Sequence, residues 1–172
     1  MVSGAPSANF SLTDHFGQRV DESSYRGQFL LVYFGFTHCR VVCPRSLAKL
    51  SVVLNRLGDA AAAIKPLYIT VDPARDTPEV MRGYLERDSP RFTGLTGTDD
   101  EIEAAKRSFR VFAERKADAE DPDGYAVPHT AIAYLMGREG EYLAHFTDAV
   151  DEDAIVERIG THIGIAANED VG

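Results

Sequence analysis

Residues 29–36 form one uninterrupted apolar stretch, which reads Phe-Leu-Leu-Val-Tyr-Phe-Gly-Phe. Its length and its β-branched and aromatic content predict a strand that is buried on both faces. The stretch leads directly into residues 37–44, Thr-His-Cys-Arg-Val-Val-Cys-Pro. Pro44 is typical of the first turn of a helix, and Gly58 suits the position just past its end. Between them, leucines recur on one helical face at Leu47, Leu50, Leu54 and Leu57.

The same alternation of strand and helix continues along the chain. Further strands are predicted at Ile64–Val71, Phe92–Leu95 and Thr130–Met136. One helix begins at Thr77-Pro78, with its apolar side made by Val80, Met81, Tyr84 and Leu85. Two more helices follow a capping box at Thr98–Glu101 and a cap at Asp151.

Two hairpins frame these units. A turn at His15–Gln18 lies between apolar residues near the N-terminus, and a turn at Gly137–Gly140 joins the strand ending at Met136 to Glu141–Phe146. Strands that alternate with helices favour an α/β fold with parallel strands at its centre. The late hairpin and closing helix then indicate a thioredoxin-like domain, with a central mixed sheet flanked by helices. We expect tails at residues 1–9 and 166–172 and one domain over 10–165.

Composition excludes several classes of protein. The 172 residues carry a net charge of −9, which argues against nucleic acid or anionic lipid as a partner. The two cysteines are too few for a disulfide-rich scaffold. No apolar run approaches the ~20 residues that span a bilayer. No signal peptide is visible, so either the protein is cytosolic or a leader or anchor is missing from this sequence.

Cys39 and Cys43 are the first candidates for chemistry, because a close pair in a full-sized domain suggests metal or redox function. We expect both in a loop that feeds a helix N-terminus, where thiolate is favoured. Two thiolates suit a soft ion such as Cu(I) with one further ligand, and are too few for a structural zinc site. They could also oxidise to a disulfide. The remaining alternative is two small buried hydrophobic residues.

Five histidines could supply a further ligand. His129 is the best candidate, because in a thioredoxin-like sheet its strand begins beside the end of the strand that leads to the cysteines. His38 is expected to have a structural or supporting role, because adjacent residues in extended chain point apart. His15 and His162 are expected at the surface, and His145 lies on a late strand.

Four ordered segments resemble the Sco/SenC family, and the similarity runs from about residue 10 to residue 163. The segments are Tyr33–Pro44, Val71–Pro78, Phe92–Thr98 and Val127–Thr130 with Tyr134–Met136. The resemblance implies that Cys39, Cys43 and His129 bind copper. It also implies a role in delivering copper to the dinuclear copper site of cytochrome oxidase, or in acting on its thiols. It further implies a periplasmic or membrane-anchored protein with its anchor outside this sequence, and we expect a monomer.

The sequence departs from the family's usual pattern at three positions near these ligands. The family's loop commonly reads Cys-Pro-Asp-x-Cys, whereas Arg40 and Val41 stand here, and Pro128 replaces a common aspartate before the histidine. Metal affinity, redox potential or partner recognition can therefore differ. A thiol–disulfide oxidoreductase is the main alternative, although its usual spacing is one residue shorter. A thiol peroxidase is a third alternative, but the cysteine surroundings do not resemble peroxiredoxins. A purely structural module is weaker still, because it leaves the ordered motifs unexplained.

Overall fold

The computed structural model describes residues 6–38, 42–111, 113, 116–117, 125–126 and 131–164. Their strands are β1 Ser11–Asp14, β2 Arg19–Asp21, β3 Phe29–Gly35, β4 Ile64–Thr70, β5 Thr93–Thr96, β6 Lys116–Ala117, β7 Tyr125–Ala126, β8 Ile132–Met136 and β9 Tyr142–Thr147. Their α-helices are α1 Val42–Leu57, α2 Pro78–Asp88, α3 Asp99–Phe109 and α4 Glu152–Ile163. Short 3-10 helices cover Glu22–Tyr25 and Gly58–Ala63.

Within the described residues, seven strands form one mixed sheet in the order β2-β1-β5-β4-β3-β8-β9. The three central strands β5, β4 and β3 are parallel, and β8 pairs antiparallel with β3. The N-terminal hairpin extends the other side of the sheet, because β1 pairs antiparallel with β5. This arrangement confirms the predicted thioredoxin-like fold. The strands predicted at Phe29–Phe36, Ile64–Val71 and Thr130–Met136 correspond to β3, β4 and β8, although Thr130 lies outside the described residues. The small β6–β7 pair was not predicted.

Helices cover both faces of the sheet, as predicted for parallel strands at the centre of a fold. Alternate residues of β3 separate into two cores: Leu31 and Tyr33 face α1, α2 and α4, whereas Val32 and Phe34 face α3. Every residue of β3 is buried. Burial on both faces therefore explains why the stretch at 29–36 is apolar without interruption.

Local signals at the helix starts are confirmed. The side chains of Thr77, Thr98 and Asp151 each accept a backbone N–H in the first turn of the helix that follows. The prediction for Val80 was wrong, because this side chain is 41% exposed whereas Met81 and Leu85 are fully buried. Val80 lies next to the buried face of α2 and not on it.

Among the described residues, none of the helices combines the length and the apolar composition that a membrane-spanning helix needs.

Candidate metal centre

Cys43 lies in the first turn of α1 and is fully buried. The sequence placed it in the loop before the helix, but α1 begins at Val42 and includes Cys43 as its second residue. The helix can begin ahead of Pro44 because proline is tolerated in the first turn, where its missing N–H has no intrahelical partner. The thiol of Cys43 therefore lies at the positive end of the helix dipole, where a thiolate is stabilised.

The sulfur of Cys43 lies against the carboxyl end of β3. A Cβ atom added to Gly35 would stand 2.7 Å from Cys43 Sγ and 2.6 Å from the hydroxyl oxygen of Tyr68. These separations are shorter than an ordinary non-bonded contact between heavy atoms. Glycine at position 35 therefore leaves the space in which the thiol and the tyrosine hydroxyl approach each other.

Tyr68 is held in a column of aromatic rings. Its ring stacks with that of Tyr33 and with that of Tyr84, at centroid distances of 6.2 Å and 6.0 Å. Burial raises the pKa of Tyr68 well above its ordinary value, and the neighbouring Cys43 raises this pKa further. The hydroxyl consequently stays protonated and remains a hydrogen-bond donor near the sulfur.

The chain just before Cys39 is held in place by Asp76, a residue that no pattern in the sequence singles out as a candidate for the site. Asp76 is fully buried and accepts hydrogen bonds from the N–H and the hydroxyl of Thr37, at 3.0 Å and 2.5 Å. It also accepts one from the hydroxyl of Thr70 at 2.7 Å. Burial raises the pKa of Asp76, while the hydrogen bonds from the two threonines oppose that rise. The segment after β3 is thus tied to the segment after β4.

A buried ion pair stabilises the turn that carries Asp76. Arg75 Nε lies 2.6 Å from Asp72 Oδ2, and the two side chains are only 9% and 1% exposed. The Arg75 guanidinium also lies 6.0 Å from the ring centre of Phe36. Because both charges are buried, substitution of either residue would disturb a buried ionic interaction, which makes this turn sensitive to substitution.

The predicted ligand set is only partly covered by the structure. Cys39 and His129 lie outside the described residues, together with Arg40, Val41 and Pro128. Among the residues that are described, no group of three or more cysteine, histidine or acidic side chains could hold a metal ion. The convergence of Cys39, Cys43 and His129 therefore stays a prediction.

The strand that follows residue 129 does start on the predicted side of the sheet. β8 begins at Ile132 and runs antiparallel to β3, with Ala133 opposite Tyr33. The start of β8 is therefore next to the carboxyl end of β3, from which the chain leads to the cysteines. This register is consistent with the prediction that the chain before β8 lies near the cysteines, and the position of His129 itself stays a prediction.

The structure describes the other four histidines, and they lie at different places in the fold. His38 is half-buried, with its Nδ1 3.4 Å from the hydroxyl oxygen of Thr37. His145 and His162 are exposed. The expectation that His15 lies at the surface was wrong, because it is only 6% exposed and its Nδ1 accepts the N–H of Gly94 at 3.0 Å. A polar turn in the sequence does not reveal that one of its side chains points back onto the sheet.

The chain matches the SCO1/SenC family over residues 3–164. It is 42% identical over 156 residues to the human mitochondrial SCO1 homolog, covering 90% of this chain and 52% of that protein. The chain thus spans about half the length of that relative.

Solved structures agree with this match. The yeast Sco1 structure with copper bound has a TM-score of 0.85 at 36% identity, covering 92% of this chain and 88% of that one. The Bradyrhizobium japonicum ScoI structure with copper bound has a TM-score of 0.79 at 38% identity, covering 90% of this chain and 99% of that one.

Proposed function

Because the chain belongs to the SCO1/SenC family, we propose that it is a copper-binding assembly factor for cytochrome c oxidase. In this proposal Cys39, Cys43 and His129 hold one copper ion. The ion is delivered to the dinuclear copper site of the oxidase, or the two thiols act on that site's cysteines. The observation that carries the proposal is the likeness to yeast and bacterial Sco structures that contain copper.

The position of Cys43 supports this chemistry. Its sulfur lies at a helix N-terminus, so the thiolate that soft metals require is favoured there. Asp76 fixes Thr37, the position two residues before Cys39, through two hydrogen bonds. Two thiolates and one imidazole make a three-coordinate site suited to Cu(I).

Copper titration of the reduced protein tests the proposal. Wild-type protein should bind one copper ion, and Cys39→Ser or Cys43→Ser should nearly abolish Cu(I) binding because one thiolate cannot compete with added thiols. His129→Ala should weaken binding, more for Cu(II) than for Cu(I), because imidazole suits the harder ion. Binding should also weaken as pH falls, since the thiols must lose protons.

His162→Ala is the matched control, because His162 is exposed in the last turn of α4. It should bind copper as wild type does. If His129→Ala binds both copper states as tightly as wild type, the three-ligand site is wrong and a dithiol function takes its place.

A thiol–disulfide oxidoreductase is the second candidate function, and the helix-start position of Cys43 favours it. We expect Cys39 and Cys43 to form a reversible disulfide in air. Thiol counting before and after reductant measures this directly. Two reactive thiols that persist after prolonged oxidation would contradict the disulfide. Reduction of insulin disulfides without copper binding would favour the oxidoreductase over the assembly factor.

The proposed location follows from the proposed recipient. Thiol and copper transfer to an oxidase subunit would take place on the oxidising side of a membrane, in the periplasm of a bacterium. Locating the full gene product in cell fractions tests this part. A protein found wholly in the cytosol would contradict it.

A further inference from the structure

The strongest unassigned feature is the tyrosine behind Cys43. Tyr68 is fully buried in β4, and its hydroxyl has no conventional hydrogen-bond partner among the described residues. Buried tyrosine hydroxyls are normally satisfied, because an unpaired polar group away from water is costly. The sulfur of Cys43 is the polar atom that faces the same space, above the α-carbon of Gly35.

The surroundings of Tyr68 place its hydroxyl beside the sulfur. The rings of Tyr33 and Tyr84 each lie nearly parallel to the fully buried ring of Tyr68 and pack against it. Gly35 supplies no Cβ to separate the two groups. Cys43 is itself fixed in the first turn of α1. The Tyr68 hydroxyl and Cys43 influence each other electrostatically, although the hydroxyl has no hydrogen bond of standard geometry among the described residues.

We infer that the Tyr68 hydroxyl is a hydrogen-bond donor to the Cys43 sulfur and positions that sulfur in the copper site. A neutral thiol and a hydroxyl can donate to each other in either direction. A thiolate or a metal-bound sulfur can only accept, so Tyr68 must then be the donor. Hydrogen bonds to a cysteine sulfur tune the redox potential of a copper site. The part of this inference that concerns copper rests on the proposed function.

The first test needs no copper. The chain has two cysteines, so in Cys39→Ser the infrared S–H stretching band comes from Cys43 alone. We expect this band to shift when Tyr68→Phe is added. Tyr134→Phe is the matched control, because Tyr134 is buried in the core on the other face of the sheet; it should leave the band in place. An unshifted band in the Tyr68→Phe protein overturns the inference.

A measurement on the wild-type side chain covers the case in which Tyr68→Phe does not fold. Reduced protein is isotope-labelled at the tyrosine ring carbon that bears the hydroxyl. The hydroxyl proton of Tyr68 should exchange slowly with solvent, and its resonance should move in Cys43→Ser. A proton that exchanges rapidly, or a resonance that does not move, overturns the inference.

The second test uses the copper-loaded protein. Removing a hydrogen bond raises the energy of the sulfur electrons, so the Cu(II)–thiolate absorption should move to longer wavelength in Tyr68→Phe. The reduction potential should fall, and Tyr134→Phe should change neither quantity. A shifted S–H band with unchanged copper absorption overturns the role at the metal. If wild-type protein binds no copper, the proposed function fails, and the S–H band still decides whether Tyr68 contacts Cys43.

Discussion

Asp76 and His15 each accept a hydrogen bond from a backbone N–H inside the folded protein, but they stabilise different regions. Asp76 holds the segment that leads to the cysteines through two hydrogen bonds from Thr37, and a third from Thr70 ties Asp76 to β4. His15 accepts one hydrogen bond from Gly94, which adds to the β1–β5 strand pairing that already holds the N-terminal hairpin on the sheet. The segment beside the candidate site therefore depends on Asp76 more than the hairpin depends on His15. Substitutions of Asp76 and His15 therefore distinguish an effect on the candidate site from an effect on stability alone.

The largest effect is expected from Asp76→Ala. The substitution leaves the N–H of Thr37 and the hydroxyl of buried Thr70 without their acceptor, which should lower the free energy of unfolding by about 3 kcal/mol. Urea denaturation near neutral pH measures the loss. Asp88→Ala is the matched control, because Asp88 is paired with Arg87 on the surface; its effect should stay within about 0.5 kcal/mol.

Asp76→Ala should also weaken Cu(I) binding in the folded protein by about tenfold, by analogy with other residues that support metal ligands. The reason is that Thr37, two residues before Cys39, loses its anchor. Competition with a chelator of known affinity measures this change. Unchanged affinity together with the expected loss of stability would show that Asp76 supports the fold and not the site.

A smaller loss of stability is expected from His15→Ala. The buried N–H of Gly94 loses its acceptor, which should cost about 1–2 kcal/mol in the free energy of unfolding. Copper affinity should not change, because His15 contacts β5 and not the edge near Cys43. A weakened copper affinity in His15→Ala would remove the distinction between the two anchors.

The smallest effect is a pH dependence that comes from His15. Burial lowers its pKa below the ordinary value of 6.5, although Asp14 and Glu86 partly oppose this. Because the folded protein disfavours protonated His15, this contribution to stability is fully present above pH 6.5 and is lost as pH falls through the lowered pKa. Denaturation curves in this range measure the loss.

His15→Asn provides the control for that titration. The amide oxygen can still accept the N–H of Gly94, and the side chain does not titrate. The variant should lose less stability than wild type as pH falls below 6.5. Equal losses in the two proteins would show that other groups cause the pH dependence.

The sequence predicted the repeating parts of the fold because those parts follow local rules. The apolar run at β3 reports burial on both faces, and the caps at Thr77 and Thr98 are satisfied within their own helices. The burial of His15 and the role of Asp76 depend on contacts between distant positions. Thr37 and Asp76 are 39 residues apart, and no local pattern in the sequence pairs them.

The sequence predicted which residues could form the candidate site, but not the contacts that surround them. The cysteine spacing and the family resemblance identified Cys39, Cys43 and His129 as candidates, and Cys43 does lie at a helix start. α1 begins at Val42, two residues before Pro44. The sequence did not show this, because proline fits several positions in a first turn. The approach of Tyr68 to Cys43 depends on Gly35 and on the stacking of three rings, which sequence spacing does not encode.

X-ray absorption of the reduced protein loaded with one Cu(I) counts the atoms bound to copper and so tests the three-ligand site. We expect two sulfur ligands and one imidazole nitrogen in wild-type protein, with the nitrogen lost in His129→Ala and retained in His162→Ala. One sulfur ligand fewer should appear in Cys43→Ser protein if any copper remains bound. A wild-type spectrum with two sulfur ligands and no imidazole, unchanged in His129→Ala, would contradict the three-ligand site.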